Sequence, residues 1–63
     1  MTITSVSKVD NMIDTYNRIY QLLEQQIHKL EDESVIEVIK DLMQIYQIKI
    51  ETLQEVLIQL QTM

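Results

Sequence analysis

Apolar residues recur through the first half of the chain at Val6, Val9, Ile13, Tyr16, Tyr20, Leu23, Ile27 and Leu30. The intervals alternate between three and four residues, the a/d seam of a heptad helix. The second half repeats the pattern at Ile36, Ile39, Met43, Tyr46, Ile50, Leu53, Leu57 and Leu60. A stripe with this period runs along one face of a helix and is buried only when another helix covers it. The pattern therefore predicts an all-α chain.

The segment HKLEDESVIEV, residues 28–38, decides whether there are one or two helices. Carried through it without a break, the first seam would next fall on Ser34 and Glu37. The second seam starts at Ile36 instead, out of phase, so the register favours a break. Local chemistry agrees. Ser34 and Glu37 have the spacing of a capping box, in which each side chain satisfies a free N–H of the first helical turn. Glu31, Asp32 and Glu33 oppose the negative C-terminal end of a first helix and suit the positive N-terminal end of a second. The expectation is helix 1 over about 6–31, a turn over about 32–34 and helix 2 over about 35–61. The absence of glycine keeps one continuous helix as the alternative.

Folded back on each other, the seams match, from Leu30 against Ile36 at the turn to Val6 against Leu60 at the far end. Tyr20 falls opposite Tyr46, where the rings are placed to stack. Each helix would be about 40 Å long at 1.5 Å per residue. The predicted fold is an antiparallel helical hairpin, coiled-coil-like in its seam.

The positions beside the seam differ on its two sides. One side carries Asp10, Asn17, Glu24, Glu31, Lys40, Gln47, Gln54 and Gln61, with Glu24 opposite Lys40. All are polar, and this side is expected to face water. The other carries Met12, Ile19 and Leu22 from helix 1 and Val35, Val38, Leu42, Ile45 and Val56 from helix 2. A contiguous apolar face left open by the hairpin marks an interaction surface. These eight residues are the predicted interface, expected to join two copies into a four-helix bundle or to receive a helix of another protein. Gln26, opposite Leu42, is a polar residue placed to fix register there. Ile48 and Ile58 fall off both faces, as single exposed apolar residues often do.

Length and composition sharpen this picture. The 63 residues make a single domain, 1–63, and 46% of them are hydrophobic. A chain this short buries little apolar surface alone and usually needs disulfides, a metal or self-association. It has no cysteine and one histidine, which leaves association. Ten acidic against five basic residues give a formal charge of −5. An acidic surface argues against nucleic acid and against anionic membranes. No apolar run is long enough for a membrane span, and MTITSVSK lacks the pattern of a signal peptide. The lack of cysteine fits a reducing cytoplasm.

Candidate chemistry is sparse. Glu24, His28 and Glu31 would share one face of a helix running to residue 31, but that face points outward and lacks the inward ligand set of a bundle metal site. Tyr16, Tyr20 and Tyr46 lie in the seam with no activating neighbour and read as core aromatics. Lys8, Arg18, Lys29, Lys40 and Lys49 are scattered rather than aligned. There is no phosphate-binding loop and no nucleophile elbow. The expectation is a protein without catalytic residues, metal, cofactor or small-molecule substrate. It is expected to be a small non-enzymatic regulator, adaptor or chaperone-like subunit binding itself and another protein. The alternatives are an RNA-binding homodimeric four-helix bundle and a purely structural assembly subunit.

Overall fold

A computed structural model describes residues 2–62, and the side chains of 5–62. Two helices, α1 (Thr2–Ile27) and α2 (Glu33–Thr62), pack against each other as a hairpin, with no strand among the described residues. The result is a rod of 47 × 14 × 11 Å. Its length follows from the longer helix, since 30 residues rise about 45 Å.

The turn is longer than the sequence pattern suggests and lies nearer the N-terminus. α1 ends at Ile27 rather than near residue 31, and residues 28–32 make the connection. A tight turn between helices usually needs a residue with positive φ, most often glycine. This chain has no glycine, and none of its described residues has positive φ. The chain reverses by giving up the last turn of the expected helix instead. The N–H of Lys29 donates to the carbonyl of Gln26 at 2.9 Å, and that of Leu30 to Ile27 at 3.4 Å. These are i→i+3 bonds, which close the end of α1 with a narrower coil.

α2 in turn begins earlier than expected, and its cap is Asp32 rather than Ser34. Oδ1 of Asp32 accepts the N–H of Ser34 at 2.9 Å, and its carbonyl accepts the N–H of Ile36 at 3.0 Å. Asp32 is therefore the N-cap, which places Ser34 inside the first turn and removes the capping box with Glu37. Glu33 becomes the first helical residue, where a carboxylate suits the helix dipole.

Burial follows the two seams. All sixteen seam residues are shielded to some degree, and the only other described side chain that is not exposed is Ile19. Shielding is deepest mid-rod, where Ile13 is 8% and Ile50 9% exposed. One aromatic pairing differs from the sequence expectation. Tyr46 meets Tyr16 rather than Tyr20, with ring centroids 5.6 Å apart and planes tilted by 52°. A seam side chain fits into a hole formed by four residues of the facing helix, so Tyr46 has a choice of neighbouring layers. The ammonium of Lys49 lies over the Tyr16 ring at 5.8 Å, a cation–π contact from the flanking row.

The core is thin. No described side chain is fully buried. The accessible surface is 5121 Å², whereas a compact monomer of the same mass exposes about 4,200 Å².

Candidate interaction surface

The two flanks diverge in the structure as they do in the sequence. Asp10, Asn17, Glu24, Glu31, Lys40, Gln47, Gln54 and Gln61 are all exposed. Glu24 and Lys40 do not form an ion pair. Among the described residues the one ion pair is Arg18 with Asp14 at 3.5 Å, one helical turn apart on the outer face. Both partners are solvent-exposed, so it contributes little.

On the other flank, Met12, Leu22, Val35, Val38, Leu42, Ile45 and Val56 are exposed. Leu22 and Val38 are the most open of these, at 58% each. Ile19, from the same predicted set, is half-buried instead. These residues come together because positions g and c follow one another around a helix beside d, and in an antiparallel hairpin the g rows of both helices lie on one side.

Ile48 belongs with this surface, although its heptad position alone sets it apart. Around a helix the positions run d, g, c, f, so an f residue borders the c row. Ile48 is 55% exposed and lines a shallow groove with Met12, Tyr16, Lys49, Thr52 and Leu53. The groove holds about 260 Å³, below the usual range for a small-molecule site. A second shallow groove, of about 220 Å³, opens on the polar side between Asn17, Tyr20, Gln47, Ile50 and Glu51.

The apolar flank also carries a distinctive set of charges. None of the ten acidic residues occupies a g or c position of either helix, whereas Lys8 and Lys49 do. The acidic character of the chain is confined to the polar side, the outer face and the turn. No carboxylate therefore projects from the g and c rows themselves, and Asp41 and Glu55, at f, lie on their outer border.

With α1 ending at Ile27, His28 and Glu31 lie in the connection and no longer share a helical face with Glu24. Among the described residues, no three His, Asp or Glu are grouped closely enough to hold a metal ion. No helix among the described residues is long and apolar enough to cross a membrane. Geometrically the chain is a two-helix hairpin with one polar and one open apolar flank. Compared with protein-family models, curated proteins and solved structures, the chain matches none.

Proposed function

We propose that this protein is a non-enzymatic protein–protein interaction module, a small regulator, adaptor or chaperone-like subunit that works by offering its apolar flank to other helices. The observation that carries this reading is the one-sided exposure of large apolar side chains. A hairpin selected only for solubility would have polar residues on both flanks, but here only one flank is polar. Helix grooves recognise helices through apolar anchors spaced i, i+3 or i+4, and i+7. Val35, Val38, Leu42 and Ile45 supply that spacing on α2. Ile19 and Leu22 extend the surface onto α1, and a four-helix bundle is the simplest architecture that would cover it. A cytoplasmic setting fits a chain without cysteine.

Site-specific photocrosslinking in the native host tests this reading. A photoreactive residue at Leu42 is expected to form protein adducts, including any with a second copy. The same residue at Glu55, on the outer face, is expected to form few or none. Adducts at position 55 with none at position 42 would put the working surface elsewhere.

A further inference from the structure

We infer that the apolar flank is covered by a second copy of this chain, and that the two hairpins lie side by side with their turns at the same end. This rests on the reading of the flank as an interaction surface and names its occupant.

Area points to a second copy. The hairpin exposes about 900 Å² more than a compact monomer of its mass. A standard protein interface takes about 800 Å² from each partner, so one copy on the flank removes the excess. Charge permits the match. Each chain carries −5, which should drive two copies apart, but every acidic residue lies off the flank. Flank-to-flank packing therefore turns the acidic faces outward and away from each other.

The distribution of apolar residues along the rod sets the orientation. Tyr16 lies against Tyr46 and under Lys49. Tyr16 is thus level with the stretch between Tyr46 and Lys49, where it shares a groove with Ile48, and this brings Leu22 about level with Leu42 and Ile19 with Ile45. Towards the turn the flank of α2 is uninterrupted from Val35 to Ile45, whereas towards the open end it is broken by Lys49 and Thr52. A two-fold axis parallel to the rod sets α1 of one copy against α2 of the other, each at its own level. Leu22 then meets the second copy's Leu42, and Ile19 its Ile45. An axis across the rod reverses the levels. With the rods fully overlapped, Leu42 would then face Thr52 and Ile45 would face Lys49, pressing apolar side chains against a hydroxyl and an ammonium and stripping water from both. The same-end arrangement avoids this by giving Leu42 and Ile45 apolar partners and setting Lys49 level with Thr15.

The chain contains no cysteine, so single spin labels can be placed at His28→Cys in the turn and, separately, at Gln61→Cys near the open end. Both positions are exposed and lie off the apolar flank. Sedimentation of the unlabelled chain is expected to show a dimer of about 15 kDa, twice the 7.5 kDa chain mass. Pulsed dipolar spectroscopy is expected to give label separations below about 30 Å at both sites, as set by neighbouring helices about 10 Å apart plus the label arms. Separations near the 47 Å length of the rod would overturn the orientation. A monomer would overturn the second copy as occupant. If Leu42 still crosslinks to other proteins, the interaction reading survives that failure; if Leu42 crosslinks to nothing, both fall.

Discussion

The backbone N–H of Ser34 donates to Oδ1 of Asp32 at 2.9 Å. That bond makes Asp32 the point at which the connection ends and α2 begins. Asp32→Ala is expected to lower stability by about 1 kcal/mol, the usual value of an N-cap. Ser34→Ala, within the first turn, should shift it by no more than about 0.5 kcal/mol. Urea unfolding followed by far-UV circular dichroism, at one fixed protein concentration, compares the two. A larger loss for Ser34→Ala would restore serine as the cap.

The Tyr16–Tyr46 contact gives a second expectation. Aromatic pairs couple by about 0.5–1.5 kcal/mol beyond the area they bury. A double-mutant cycle through Tyr16→Leu and Tyr46→Leu should recover a coupling in that range. The cycle through Tyr20→Leu and Tyr46→Leu should give a clearly smaller value. Equal couplings would mean that Tyr46 divides its contacts between the two layers.

Ile13 and Ile50 are the most buried side chains described. Truncating either to alanine removes three methyl or methylene groups from the centre of a thin core, a change expected to cost about 2–3 kcal/mol. Domains of this size seldom hold more than about 3–5 kcal/mol in total. Either variant should therefore have a markedly lower thermal midpoint, and a midpoint within a degree or two of the parent's would show that the core lies elsewhere. Ile58→Ala, at an exposed site away from the seam, is the control expected to leave the midpoint unchanged.

Leu42→Asp places a carboxylate in the middle of the apolar flank. If that flank is covered, the charge has no partner there, and association should be lost or weakened at least a hundredfold, the equivalent of about 3 kcal/mol. Glu55→Lys, on the outer face, should leave it within about threefold. Sedimentation equilibrium across a range of concentrations measures both. Undiminished association of Leu42→Asp would mean that the flank stays open.

The seams were legible in the sequence because helix burial has a fixed period and sixteen apolar residues obey it. The turn was harder to place, since Asp32 and Ser34 both have cap-forming side chains and the spacing of Ser34 to Glu37 suggested the later start. What favours Asp32 is the reversal itself. Without glycine, and with no positive φ among its described residues, the chain turns over five residues rather than three, and both helix boundaries move towards the N-terminus. The open flank was legible as well, apart from two residues. Ile19 sits close enough to α2 to be half-covered, which depends on how closely the helices approach. Ile48 looked isolated at its heptad position, but it borders the c row and joins Met12 across the groove. The ring partner of Tyr46 is likewise a choice between adjacent layers that helical period leaves open.

The five-residue connection also governs the order in which the rod assembles. Loop closure costs more as the closed segment lengthens. Joining the seam first at its far end, with about fifty residues between, costs about 2 kcal/mol more than joining it beside the turn. Assembly should therefore run like a zipper from Leu30 and Ile36 towards Val6 and Leu60, with the open end the last to close and the first to fray. Val35, Val38, Leu42 and Ile45 lie in the portion that zips first. A half-closed chain would thus already display its richest exposed apolar surface, so capture by another helix can begin before the far end of the rod is formed.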